Sequence, residues 1–479
     1  MKKIILLLSI LFITTNAFSQ EYEYKFRLLL KDKGKTSYSI NKPEEFLSAK
    51  SIERRAKYGI AIDESDLPIS TDYLKKIEAV GGVIVAKSKW LNSVAVHCTD
   101  TAIVEKYRKL PFVKDVVLAW RGKPYVESAA KNDSIKSYPA KETISFGNNY
   151  GKGLQNIKMN NGQALHKAGF KGKGMDIAVI DGGFNNFHKI EMLNNLDIKG
   201  SKDFIYQHPD MFANGAQHGL SVLSCIGANK PMQFVGTAPE ASFWLFNSED
   251  GRSEYPIEED YWVAAIEYAD SVGVYVVNTS LGYSNFDAPA QSYTHADIDG
   301  KTAHISRAAD RASDKGMLLS ISAGNSGDSE WRKITPPSDA INIVTVGAVQ
   351  KDSTVARFSS RGMTADLRVK PDVMALGVWS TVVNDKGLVS VSSGTSFSSP
   401  IMCGMLACLW QAFPELSNKE IISVVRESSN KYESFDEDYG YGIPDMGKAM
   451  EIAQAKVDAK KKAMEAAQPS DKKAKSKKK

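Results

Sequence analysis

From residue 151 to about 450, short apolar runs alternate with stretches of helical spacing. This pattern constrains the fold more than any other feature of the chain. The runs include DIAVID (176–181), ASFWLF (241–246), VYVVNTS (274–280), MLLSISAG (317–324) and INIVTVGAV (341–349). They are apolar throughout rather than at every second position, so a sheet built from them must be covered on both faces. The stretches EEDYWVAAIEYADSVG (258–273) and HISRAADRASDKG (304–316) have the spacing of helices that supply such a cover. The pattern predicts the α/β class, with helices on both sides of a mainly parallel central sheet. Such sheets keep their sites at the carboxyl ends of the strands.

A smaller unit precedes this domain. Residues 24–120 read as β-α-β-β-α-β with one additional helix, a ferredoxin-like α+β pattern. YKFRLLLKD is a strand, PEEFLSAKSIERRAKYG and TDYLKKIEAVGG are helices, and VIVAKSKWLNSVAVHC gives two strands around a turn at Leu91–Asn92. DTAIVEKYRKL is a further helix and VKDVVLAW the last strand. At the N-terminus, Lys2 and Lys3 precede an apolar stretch from Ile4 to Ile13, and Ala17 and Ser19 are small residues before Gln20. This is a secretory signal peptide, so the chain is expected to be secreted or periplasmic. No Cys lies near the cut to carry a lipid, and no integral membrane segment remains after signal removal. The expected organisation is a signal peptide at 1–19, the small unit at 20–121, a polar linker at 122–150, the large domain at 151–451 and a Lys-rich tail at 452–479. The tail is expected to be disordered, with a first part able to prolong a helix.

The net charge of +5 is unevenly placed. Residues 456–479 hold ten Lys against three acidic residues, which leaves the rest of the chain slightly acidic. A nucleic-acid partner is therefore not expected. Cys98, Cys225, Cys403 and Cys408 show no metal-ligand spacing and read as small buried hydrophobes, with a single disulfide still open in a secreted chain.

Four motifs bear on chemistry. In AVIDGGF, Asp181 stands where an apolar strand runs into two glycines. In AQHGLSVLSCIGA, His218 opens an apolar helix, although the residues alone do not separate it from the other histidines, His188 included. In LLSISAGNSG, Gly324 lets backbone approach a ligand closely and Asn325 offers an amide donor at a strand end. In SSGTSFSSP, Ser396 lies at the start of the apolar helix expected after Pro400. There the helix dipole favours developing negative charge. The G-x-S-x-G elbow of α/β-hydrolases fails, because Ser398 stands where its second Gly belongs. Taken singly, each motif also reads as an ordinary turn or strand end.

Together the motifs resemble those of the subtilisin-like serine proteases, the subtilases of peptidase family S8. VIDGGF, QHGLSV, SAGNSG and SSGTSFSSP are similar to the family's Asp, His, oxyanion and Ser motifs in the family's chain order. FVGTAPEA, VVNTSLGY, VTVGAVQ, ARFSSRG and KPDVMALG recur between them, and the resemblance spans residues 151–450. It implies a subtilisin-like three-layer α/β/α domain and a secreted serine endopeptidase acting through Asp181, His218 and Ser396. Asn325 and the backbone N–H of Ser396 would form the oxyanion hole. Ser280, Leu281, Gly282, Ala323 and Gly324 would bind substrate. The resemblance also implies protein or peptide substrates and no required cofactor. Calcium commonly stabilises the family, but no Asp-rich loop here is distinct enough to name ligands. Residues 20–121 resemble the family's pro-domain, an intramolecular inhibitor released by a cut expected within 122–150. Gly182 replaces a small hydroxyl residue, Leu220 a Thr, Phe397 and Ser398 the usual Met and Ala, and Leu376 a Pro. The acidic segment SEDGRSEYPIEED reads either as a solvated loop or as a feature favouring basic substrate side chains. Two alternatives stay open: a catalytically impaired binding module of the same fold, and a serine hydrolase with a non-peptide substrate.

Overall fold

The structure, a computed structural model, describes residues 22–123, 149–206, 211–212, 216–384 and 386–467. The expected signal peptide, nearly all of the 122–150 linker and residues 468–479 lie outside the described residues. In the N-terminal unit, β1 (Glu23–Leu30), α1 (Ala49–Lys57), α2 (Thr71–Val80), β2 (Val83–Ser88), β3 (Ser93–Cys98), α3 (Ile103–Arg108) and β4 (Val113–Gly122) follow one another along the chain. The strands pair antiparallel in the order β2-β3-β1-β4. This is the ferredoxin-like arrangement read from the sequence. The helix expected from Pro43 onward is divided. A 3-10 turn at Pro43–Glu45 comes first, and α1 starts afresh because extended Ser48 caps it, its Oγ accepting the Ser51 amide.

The larger domain is built on β5 (Asp176–Asp181), β6 (Asp197–Asp203), β7 (Ser242–Asn247), β8 (Val276–Thr279), β9 (Leu318–Ser322), β10 (Val344–Val349) and β11 (Val373–Leu376). These form a parallel sheet in the order β11-β10-β9-β8-β5-β7-β6. Every residue of β5, β8, β9, β10 and β11 is buried. Successive side chains of one strand point to opposite faces, and the two cores divide accordingly. Ile177 and Val179 join the core under α4 (His218–Gly227) and α7 (Thr395–Ala412). Ala178 and Ile180 join the core under α5 (Ile257–Val272) and α6 (His304–Asp314). The double apolar cover that the sequence demanded is these two helix layers.

Two helices come last among the described residues, α8 (Asn418–Ser428) and α9 (Met446–Ala467). Helix α9 carries the first part of the Lys-rich tail, to residue 467, as a prolonged helix. Ala453 and Val457, four residues apart, are buried on one of its faces. Lys456 and Lys460 pair with Glu427 and Glu420 on α8 at 2.8 and 2.7 Å. Helical spacing thus turned part of a Lys-rich stretch into a docked element.

The N-terminal unit sits on α5 through carboxylates at both ends of that helix. Arg27 bonds Asp260 at 2.8 Å and Glu259 at 3.3 Å. Glu267 accepts Ser88 Oγ and the amides of Lys89 and Trp90, closing the β2–β3 turn onto the helix. Asp270 takes Arg54 at 2.5 Å and Arg55 at 2.7 Å, while Asp66 bonds Arg55 and Lys315. Both arginines and both aspartates are buried. All four cysteines are buried free thiols. Burial pushes the thiols of Cys225, Cys403 and Cys408 well up, consistent with their reading as small hydrophobes.

Candidate active site

Strand β5 ends on Asp181, whose side chain is wholly buried. Its Oδ1 accepts the Gly182 amide at 2.8 Å and lies 2.7 Å from His218 Nδ1. A histidine Nδ1–H donating to a buried carboxylate leaves Nε2 as the basic nitrogen. The Asp181 charge holds the imidazolium pKa above its ordinary value. Helix α4 comes this close to β5 because its second residue is glycine. A Cβ on Gly219 would lie 2.9 Å from Asp181 Cβ and 2.7 Å from the Gly183 carbonyl. The His-Gly pair is thus a packing requirement of the Asp–His contact.

Ser396 is the second residue of α7. The helix was expected to begin after Pro400 but starts at Thr395, with Pro400 inside its second turn. Proline has no amide proton to give the carbonyl four residues back. That carbonyl belongs to Ser396, and the Ser280 hydroxyl satisfies it at 2.9 Å. Ser280 therefore touches the serine's own backbone. On the other side, Asn325 Oδ1 accepts both the amide and the hydroxyl of Thr395 at 2.9 Å. With Oδ1 so engaged, Nδ2 is turned away from Thr395, toward Gly394, where a built Cβ would lie 3.6 Å from it. The ring of Phe397 stands 6.0 Å from that of His218, centroid to centroid, so the first turn of α7 lies against the imidazole. No hydrogen bond joins Ser396 Oγ to His218 among the described residues.

The residues that the resemblance named for the site therefore gather at the carboxyl ends of β5, β8 and β9 and the first turns of α4 and α7. Leu281 is half-buried and Gly282 exposed just beyond β8, while Ala323 is buried and Gly324 half-buried just beyond β9. His188 is elsewhere, edge-on to the rings of Phe187 and Phe212. Ser392 closes the strand Val389–Ser392, and Ser398 and Ser399 spend their hydroxyls on Thr395 O and Asn278 Oδ1.

Glu249 is the residue that sequence reasoning left inside a general acidic segment. Its carboxylate accepts the Tyr283 hydroxyl at 2.7 Å and converges with those of Glu254 and Glu258, their oxygens lying within 4.8 Å of one another. Burial pushes Glu249 up to about 8 and Glu254 to about 7, and Glu258 is also raised. The solvated-loop reading does not hold for these three. Glu258 takes the amides of Asp250 and Tyr255 at 2.7 and 3.3 Å. The one available signal was that NSED follows directly on the apolar strand ASFWLF, which carries its glutamate to the strand end where sites lie.

The sheet, its helix layers and the position of the site define a serine-type endopeptidase of the α/β class. Residues 172–442 match the subtilase family, and the chain belongs to that family. Residues 25–136 match the peptidase S8 propeptide domain of Bacteroidota, which makes the chain a protease precursor. Subtilisin E of Bacillus subtilis (strain 168) is 27% identical over 371 residues, covering 77% of this chain and 83% of its own. The subtilisin of Bacillus pumilus is 28% identical over 295 residues, 61% of this chain and 95% of its own. Serine protease AprX of Bacillus subtilis (strain 168) is 29% identical over 315 residues, 59% and 66% of the two chains. Among the described residues no helix is long and apolar enough to cross a membrane.

Proposed function

We propose that the chain is a secreted serine endopeptidase that processes its own precursor and hydrolyses peptide bonds through Asp181, His218 and Ser396. The observation that carries this reading is the 2.7 Å contact of His218 Nδ1 with a fully buried Asp181, set beside the helix turn that bears Ser396. His218 Nε2 takes the Ser396 proton as Oγ attacks the carbonyl carbon, and returns it to the leaving amine. Asp181 fixes the tautomer and stabilises the imidazolium. The resulting oxyanion is held by Asn325 Nδ2 and the Ser396 amide at the positive end of α7. Water then hydrolyses the acyl-enzyme by the same route. Ser396 Oγ and His218 come into hydrogen-bond contact on substrate binding, since such contacts tighten in the Michaelis complex.

Residues 280–282 and 323–324 flank Ser396 and pair with an extended peptide backbone. The N-terminal unit covers α5 and is cut free within 122–150, after the signal at 1–19 has directed export. A structural calcium ion has no part in the chemistry.

Expression of wild type beside Ser396→Ala tests this reading. Wild type should lose a fragment the size of residues 20–121 and take up a fluorophosphonate probe. The alanine variant should remain a precursor and stay unlabelled. Equal processing and equal labelling in both would refute the assignment of Ser396. Hydrolysis of casein by wild type separates a peptidase from a serine hydrolase of another substrate class.

A further inference from the structure

Asp260 on α5 has two basic side chains within reach, one from each unit. Arg27 of β1 donates Nε to both carboxylate oxygens at 2.8 Å. His304, the first residue of α6, holds Nε2 3.7 Å from Asp260 Oδ1. The same nitrogen lies 3.5 Å from Ser93 Oγ at the start of β3. His304 belongs to the larger domain, yet part of its cover comes from the N-terminal unit, and it is only 5% exposed.

The charges facing this imidazole come from every element packed around it. Arg27 and Asp260 oppose each other beside it, and Arg307 follows on α6 itself. Glu259 pairs with Arg27 at 3.3 Å and accepts the Tyr293 hydroxyl at 2.7 Å. Burial, helped by the positive charges of Arg27 and Arg307, holds the His304 pKa well below its ordinary value. The imidazole is therefore neutral while the N-terminal unit is in place.

Loss of that unit takes away Arg27 and Ser93 and opens His304 to water. Its pKa then returns toward 6.5, and Asp260 stands beside it without its arginine. One proton from solvent makes the two a His304–Asp260 ion pair within the larger domain. We propose that His304 and Arg27 compete for Asp260, so that acid loosens the cut N-terminal unit when protonated His304 takes the place of Arg27. Since the assembled form depresses the histidine's pKa, this part of the attachment is complete above 6.5 and is lost as pH falls below it. The proposal rests on the reading of the N-terminal unit as a pro-domain that is cut free, and adds what governs its departure.

The test uses the full chain carrying Ser396→Ala, cut once by a site-specific protease whose recognition sequence is inserted within 122–150. The dissociation constant of the cut fragment is measured by dilution and gel filtration, with His304 present and in His304→Gln. Uptake of one proton at an ordinary histidine should raise the constant about tenfold between about pH 7.5 and 5.5, relative to the variant. Comparison with the variant cancels Glu259 and Asp260, whose carboxyls burial raises and which act in the opposite sense. His304→Asn carries the same test should the glutamine variant fail to fold. A constant with the same pH dependence in both chains overturns the proposal, and so does a fragment that separates at no pH. Because the cut is supplied from outside, failure of Ser396 to process or to label would refute the catalytic reading and leave this result standing.

Discussion

Asp181 carries an unpaired atom that invites repair. Its Oδ1 serves both the Gly182 amide and His218, while Oδ2 is buried and has no hydrogen-bond partner among the described residues. The residue after this aspartate in the family is usually a small hydroxyl residue, and here it is Gly182. A Cβ at Gly182 would meet nothing closer than Glu249 Cβ at 3.4 Å, an ordinary contact, and the backbone there is not in the left-handed region. Gly182→Ser should therefore fit without strain and bring a hydroxyl to Oδ2. A hydrogen bond to a charged group contributes about 1.5–3 kcal/mol. The loss of glycine freedom from the unfolded chain adds about 0.4–1 kcal/mol. Gly182→Ala supplies the second part alone, so the difference between the two variants isolates the hydrogen bond. With an unfolding entropy of about 2 cal/mol/K per residue, a chain of this size shifts roughly 1 °C in Tm per kcal/mol. The serine variant should melt about 2–4 °C above the parent and the alanine variant about 1 °C or less above it. Calorimetry in the Ser396→Ala background avoids self-digestion. A serine variant no more stable than the alanine one would show that Oδ2 is not reached. A destabilised alanine variant would refute the claim of free space. The same bond draws charge from the carboxylate, so with Ser396 intact the acidic limb of activity should move to lower pH.

Asp270→Asn strips buried Arg54 of its charged partner and leaves Arg55 with Asp66 alone, and breaking a buried pair in this way costs about 3–5 kcal/mol. The precursor should melt lower, and calorimetry showing an unchanged Tm would contradict the placement of that network. Glu249, raised from 4.5 to about 8, favours the fold most when neutral. That stability is complete below pH 4.5 and is lost as pH rises through about 8. Glu249→Gln cannot ionise, so its Tm advantage over wild type should grow between pH 5 and pH 8.5, and a pH-independent difference would count against the shift. Finally, catalysis needs neutral His218, whose pKa lies above the ordinary 6.5. The acidic limb of kcat/KM should have its midpoint above that value, and a midpoint below it would mean that Asp181 does not set the imidazole's charge.

The central sheet was legible because its strands are apolar at consecutive positions, a pattern only double burial rewards, and the two cores divide along those same strands. Asp181 and Asn325 were legible as strand ends, and Ser396 as a residue near a helix start. Choosing His218 over His188 was not possible from the residues alone. What distinguishes them is spatial: Gly219 lets α4 close on Asp181, whereas His188 sits against Phe187 and Phe212. Glu249 was hidden for a similar reason. Its raised pKa comes first from burial, with the charges of Glu254 and Asp181 adding to it, and that environment exists only through the fold. The boundary at Ser48 was misjudged, because a local cap there divides one expected helix into a 3-10 turn and a separate α-helix.

The clamp at the end of α5 constrains how the sequence can change. Arg54 and Arg55 lie 216 and 215 residues from the aspartate they share, and Asp66 and Lys315 complete the same buried set. Replacing Asp270 alone leaves Arg54 as an uncompensated charge in the interior. Replacing Arg54 and Asp270 together with apolar residues leaves Arg55 paired with Asp66 and should therefore be tolerated better than the two single changes would suggest. The pro-domain and the protease must then drift as a pair. A pro-domain borrowed from a relative without the two arginines would meet Asp270 as a stranded carboxylate, however well its sheet matched the surface.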